Sequence, residues 1–289
     1  MAGPGIADER HELRRRHPTC PILAGLTPTA GHGLHFDMRT TRNQLIVFAM
    51  RRSGHHAVVH FIYRMYDAPK AFYNNLKPYR EEFGTNKKDI SDGDTTGDLE
   101  LFVVNYEDQL VREEIASPSG LIQDHEAHVG LALNSHYVLC LRDPFNTFSS
   151  RLNHGEGRRI REQILHDPQR TIDLWKNHAA EFVGRTKVLP NLVTANYNEW
   201  LVNEDYRRDL ADRLGIPYKS KNWNQTTREG GGSTFDKRAI KHADRMQLLE
   251  RWKLSKDDPS FRRLFEDREL VELSQEIFGE IPGTEELIP

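Results

Sequence analysis

The chain predicts an α/β fold: a three-layer α/β/α sandwich around a central, mostly parallel sheet. Two patterns alternate along it. Short continuous apolar runs bounded by charge or turn residues recur at Leu45–Met50, Leu101–Val104, Tyr137–Leu141 and Leu192–Ala195, as in strands buried on both faces. Between them, apolar residues return every three or four positions, as on the inward side of a helix. Strands separated by helices pair in parallel and carry the helices on the sheet faces.

Residues 1–40 contain Pro4, Pro18, Pro21 and Pro28 among several glycines and show no periodicity. They read as a partly irregular N-terminal extension, and residues 41–289 as a single domain. The first strand breaks at Arg51-Arg52-Ser53-Gly54. From His55, the positions Val58, Val59, Phe61, Ile62 and Met65 mark a helix. Residues 69–100, polar and turn-rich, read as a variable excursion over one end of the sheet. The second strand ends at Asn105-Tyr106-Glu107-Asp108. The third ends at Arg142-Asp143-Pro144 and is followed by a helix to Leu152. Helices over 158–184 turn Ile160, Ile164, Ile172, Trp175, Ala179 and Phe182 inward. A fourth strand precedes a helix over 203–214, and a break at Gly230-Gly231-Gly232 precedes helices near 236–254 and 266–278.

Composition excludes several classes. Hydrophobic residues are 37% and charged residues 29% of 289, and 40 Lys and Arg face 43 Asp and Glu for a net charge of −3. That balance argues against nucleic-acid coating. No run reaches the ~20 apolar residues of a membrane helix, so no membrane span is expected. Two cysteines make neither a disulfide framework nor a metal-type pair, and a cytoplasmic protein is the simplest expectation. The oligomeric state is not encoded in any motif. His125-Glu126-Ala127-His128 has its histidines three apart, whereas the zinc signature needs four.

Two places carry chemistry. A strand running through Arg51, Arg52, Ser53 and Gly54 into a helix that begins His55-His56 presents backbone N–H groups and positive charge to an anion. It is not a Walker loop, because Gly54 is followed by His55 and Ala49 stands where a first glycine belongs. A plain strand–helix turn with solvated arginines fits the same pattern. Farther on, Arg142 leaves the carboxyl end of a strand, where ligands of open α/β sheets bind, and Ser150 follows eight residues later. A guanidinium and a hydroxyl converging there suit a phosphate. The bland alternative pairs Arg142 with Asp143 and leaves Ser150 on a helix surface.

These residues resemble the sulfotransferase superfamily, which uses 3′-phosphoadenosine-5′-phosphosulfate (PAPS) as sulfuryl donor and releases the bisphosphate PAP. Arg52-Ser53-Gly54-His55-His56 is similar to its 5′-phosphosulfate loop, and Arg142 with Ser150 to its 3′-phosphate motif. Tyr197-Asn198-Glu199-Trp200 resembles its Tyr-Glu-Asp-Leu segment, and Arg228-Glu229-Gly230 its late phosphate clamp. The resemblance spans about residues 44–240. The chain departs from it at His55 and His56, which replace threonines, at Glu229, which replaces a lysine, and at Ala57, where an adenine-stacking Trp is common; Trp223 or Tyr197 is an alternative platform.

The resemblance implies in-line transfer to a hydroxyl of a small-molecule or carbohydrate acceptor, with no metal required. Arg51, Arg52, Ser53, Gly54, His55, His56, Arg142, Ser150, Tyr197, Arg228 and Gly230 are the expected nucleotide-binding positions. Arg52 is the residue expected to neutralise charge on the bridging oxygen. The base is left open between Glu107 or Asp108, His125, and His55 or His56. Two alternatives stand: a divergent nucleotide or metabolite kinase, and a non-catalytic nucleotide-binding domain of the same fold.

Overall fold

The structure, a computed structural model, describes residues 40–67, 69–75, 90–93, 97–112, 131–153, 158–219, 223 and 247–289. Six strands form one sheet: β1 (Thr40–Ala49), β2 (Lys70–Tyr73), β3 (Ile90–Gly93), β4 (Leu99–Glu107), β5 (Leu131–Leu141) and β6 (Leu192–Asn196), in the order β3-β2-β4-β1-β5-β6. All neighbours are parallel except β2 and β3. β1 lies between β4 and β5, with Ala49 opposite Glu107 on one side and Cys140 on the other. Three strands thus end at one level.

The helices are α1 (His55–Arg64), α2 (Pro144–Leu152), α3 (Arg158–His166), α4 (Pro168–Phe182), α5 (Tyr197–Val202), α6 (Glu204–Arg213), α7 (Pro259–Arg262) and α8 (Arg268–Phe278). The period-2 alternation of β1 sorts them into layers. Leu45, Val47 and Ala49 pack with α1, α5 and α6, in one core with Val58, Phe61, Trp200 and Leu210. Ile46 and Phe48 face the opposite way, in a core with Tyr106, Tyr137 and Leu189. A third core joins Met50 and Leu141 to α2, α4 and α8, around Phe148, Trp175 and Phe265. The three-layer α/β/α arrangement with a mostly parallel sheet is what the alternating patterns predict.

One expectation needs correction. Residues 69–100 are not all an excursion over the sheet: they supply β2, β3 and the start of β4. The run Ala71-Phe72-Tyr73 is fully buried, as in a strand inside the stack. The helices expected over 158–184 are α3 and α4, divided where the Asp167 side chain accepts from Arg170 N and Pro168 opens α4. The expected helix near 236–254 falls largely outside the described residues; its end, Arg251–Leu254, is one 3₁₀ turn. Among the described residues no helix is long and apolar enough to cross a membrane.

Candidate functional site

The carboxyl ends of β1, β4 and β5 carry the chemistry. After β1, Arg52 (φ 72) and Gly54 (φ 82) are left-handed while Ser53 between them is not. The turn is closed by Ser53 N, which donates to Met50 O at 3.2 Å. At Gly54 glycine is required for a second reason. A Cβ there would stand 2.3 Å from Cε2 of Tyr197. Helix α1 then begins without a side-chain cap and without an acidic residue in its first turn, which leaves its N-terminal end favourable to an anion.

Behind the turn stands a buried ionic cluster. Glu107, the last residue of β4, holds Arg51 Nε at 3.0 Å through Oε2. Its Oε1 lies 3.0 Å from His55 Nε2 and 3.6 Å from His56 Nε2. Burial alone would raise the Glu107 carboxyl, but His55, His56 and Arg51 hold it at about 2. His56 is pushed down to about 3 by burial and by His55, against the pull of Glu107 and Asn74. With His56 neutral above that value, Arg51 is the standing positive charge on Glu107. Asn74 Oδ1 accepts from Asn105 Nδ2 at 2.9 Å and lies 2.9 Å from His56 Nε2. An oxygen there fixes the His56 proton on Nε2 and leaves the Nδ1 lone pair available. His55 Nδ1 lies 3.2 Å from Ser53 Oγ.

The ligand atoms of His55, His56 and Glu107 lie within 4.8 Å of one another, a donor set that suits a divalent cation. The protein already engages two of the three: Asn74 takes the His56 Nε2 proton and Arg51 takes a Glu107 oxygen.

Asp108 does different work. Its side chain braces the turn, accepting from Arg51 N at 2.9 Å and from Arg151 Nη1 at 2.8 Å through Oδ1, and from Arg151 Nη2 at 3.4 Å through Oδ2. Arg151 is fully buried, so this carboxylate is its counter-charge.

On the β5 side, Arg142 and Ser150 are both buried. Arg142 does not pair with Asp143. Asp143 caps α2, accepting from Asn146 N at 2.8 Å, and takes Asn198 Nδ2 at 3.0 Å. Arg142 Nη1 instead donates to Arg52 O at 3.3 Å, and Nη2 donates to Leu248 O. Ser150 is no surface residue: its Oγ lies 3.4 Å from Arg52 Nε and 3.2 Å from Arg251 Nη1. The turn after β1 and the helix after β5 therefore share one polar cluster.

Tyr197 is a wall of this cluster and not an open platform. Its ring packs against Gly54, stacks on Trp200 at 5.7 Å and lies 5.4 Å from the Arg142 guanidinium carbon. Trp223 has Arg207 over its ring at 3.8 Å and meets Trp200 edge-on. His125, Arg228 and Gly230 lie outside the described residues. The sequence reading misses Arg151, Arg251, Asn74 and Asn105. Arg151, adjacent to Ser150, is the one with a local signal.

No protein-family model matches the chain, and no curated protein matches it. Several solved structures are similar to it, two of which are sulfotransferases. The sulfotransferase domain from the Synechococcus PCC 7002 olefin synthase is 10% identical, with 85% of this chain and 98% of that one covered and a TM-score of 0.48. Mouse sulfotransferase SULT7A1, complexed with PAP, is 14% identical, with 62% and 60% covered and a TM-score of 0.36.

Proposed function

We propose that this chain is a sulfotransferase that moves a sulfuryl group from PAPS to a hydroxyl of a small-molecule or carbohydrate acceptor. One observation carries the reading: Arg142 donates to the Arg52 carbonyl at 3.3 Å while Arg52 Nε reaches Ser150 Oγ at 3.4 Å. The two segments that resemble the two phosphate motifs of that family are thus one cluster. The residues fit a doubly phosphorylated nucleotide. A left-handed, glycine-requiring turn feeds an uncapped helix start at one end, and an arginine–serine cluster lies beside it.

When bound, PAPS supplies an activated sulfuryl group. The chain binds its 5′ end at the start of α1, with the N–H groups that follow Ser53, and neutralises charge there with Arg52. The acceptor hydroxyl's proton goes to the Glu107–His55–His56 cluster, where His56 Nδ1 and the Glu107 carboxylate are the accepting atoms. Asp108 is set aside as base because its carboxylate is the counter-charge of the buried Arg151.

The test is a thermal-shift titration followed by a transfer assay. Adenosine 3′,5′-bisphosphate should raise Tm without Mg²⁺, and labelled sulfate should pass from PAPS to a hydroxyl in an acceptor panel. A Tm rise seen only with ATP and Mg²⁺ would favour a kinase, and binding without transfer a non-catalytic domain.

A further inference from the structure

One oxygen of Glu107 gathers two imidazole nitrogens. His55 Nε2 lies 3.0 Å from Glu107 Oε1, and His56 Nε2 lies 3.6 Å from the same atom. The other oxygen, Oε2, is taken by Arg51 Nε at 3.0 Å, and His55 Nδ1 lies 3.2 Å from Ser53 Oγ. Close as it stands to the carboxylate, His55 Nε2 is a buried nitrogen with no hydrogen-bond partner among the described residues.

With the His55 proton on Nδ1, toward Ser53 Oγ, Nε2 and the carboxylate oxygen are two lone-pair donors in contact, an arrangement that a shared cation stabilises. The separations fit one ion. Zinc held tetrahedrally at about 2.0–2.1 Å spaces its ligand atoms about 3.3 Å apart, between the 3.0 Å and 3.6 Å found here. Imidazole nitrogens select zinc over magnesium or calcium. The supporting contacts are also present: Arg51 on Glu107 Oε2 and Ser53 on His55 Nδ1 are the kind of hydrogen bond that orients ligating carboxylates and histidines. At His56 the ion replaces the proton on Nε2. That proton moves to Nδ1, and Asn74 Oδ1 keeps its hydrogen bond from Asn105 Nδ2. The His56 side chain is 17% exposed against 2% for His55, so His56 is the open side of the cluster.

We propose that His55, His56 and Glu107 form a zinc site, with water in the fourth position, and that the bound ion inhibits the chain. Metal binding needs nothing from the PAPS reading. The inhibition rests on that reading: zinc covers Glu107 Oε1 and puts a proton on His56 Nδ1, the atoms that otherwise take the acceptor's proton.

The experiment is calorimetric titration of the metal-free full chain with Zn²⁺, with and without excess Mg²⁺. The proteins are the wild type, His56→Gln, Glu107→Gln and His166→Gln, the last replacing an exposed histidine at the end of α3. The wild type should bind zinc at a site that His56→Gln and Glu107→Gln each weaken about tenfold or more, while His166→Gln stays within about twofold. Mg²⁺ should not compete. X-ray absorption at the zinc edge, on the wild type and so independent of whether any variant folds, should show two imidazoles and oxygen at about 2.0–2.1 Å. Unchanged affinity in both site variants, or fewer than two imidazoles on the ion, overturns the site. In the transfer assay zinc should abolish turnover and a chelator restore it; full turnover at saturating zinc overturns the inhibition. Should zinc bind as expected to a chain that transfers no sulfuryl group even when metal-free, the site stands and the PAPS reading falls.

Discussion

Glu107 Oε1 stands 3.0 Å from His55 Nε2, which couples the end of β4 to the first residue of α1. A neutral amide at 107 keeps the shape and removes the charge. Glu107→Gln is expected to leave bisphosphate affinity within about threefold and to lower sulfuryl transfer by about a hundredfold or more. It should also lower stability by about 1–3 kcal/mol, because Arg51 and His55 lose a buried partner. Steady-state assays and calorimetry on the same preparation check both parts; full activity in the variant would remove Glu107 from the chemistry.

Gly54→Ala tests the turn. A methyl group at 54 meets the Tyr197 ring at 2.3 Å in a backbone conformation of φ 82, so strain and overlap add, at about 1–3 kcal/mol each. Chemical denaturation should show that loss together with loss of the bisphosphate thermal shift. Pairing it with Tyr197→Leu should recover the overlap part and leave the backbone part, a non-additivity that a double-mutant cycle measures.

Asp108→Asn isolates one charge. Asp108 is left-handed at φ 55, a conformation asparagine also tolerates, so the backbone is spared. The buried Arg151 guanidinium, however, loses its counter-charge. Urea unfolding should give a stability loss of about 3 kcal/mol, and a change below ~1 kcal/mol would show that Arg151 is neutralised otherwise.

Acid should weaken the fold in two stages. His56 falls from 6.5 to about 3 on folding, so the unfolded chain binds the extra proton between those values and stability drops as pH falls through them. Glu107 falls from 4.5 to about 2, so its contribution is complete above 4.5 and is lost as pH falls towards 2. Each group adds a slope of at most about 1.4 kcal/mol per pH unit. Stability measured from pH 7.5 to 4 should decline from about pH 6.5 in the wild type and less steeply in His56→Gln.

The sheet was legible because buried parallel strands are continuous apolar runs: Leu45–Met50 and Tyr137–Leu141 stand out unaided. β2 was not, since Ala71-Phe72-Tyr73 is too short and too polar at its flanks to separate from the surrounding turns. At the site, the Arg52 and Ser150 positions could be read because a turn and a spacing mark them locally. The Leu248 carbonyl on Arg142 could not, since it depends on chain over a hundred residues away folding back onto α2. The same holds for Asn74 and Asn105, whose hold on His56 appears only once β2 lies beside β4.

The shared level at which β1, β4 and β5 stop has a consequence for how such a centre tolerates change. Slipping any one ladder by a single rung would shift its terminal side chain by about 3.3 Å and swap which side of the sheet it faces. Glu107 would then swing away from His55, or Arg142 from the Arg52 carbonyl, with every letter of the site intact. Insertions inside these three strands should therefore be silent in composition yet ruinous in effect, whereas the outer edge at β3 has no such alignment to protect.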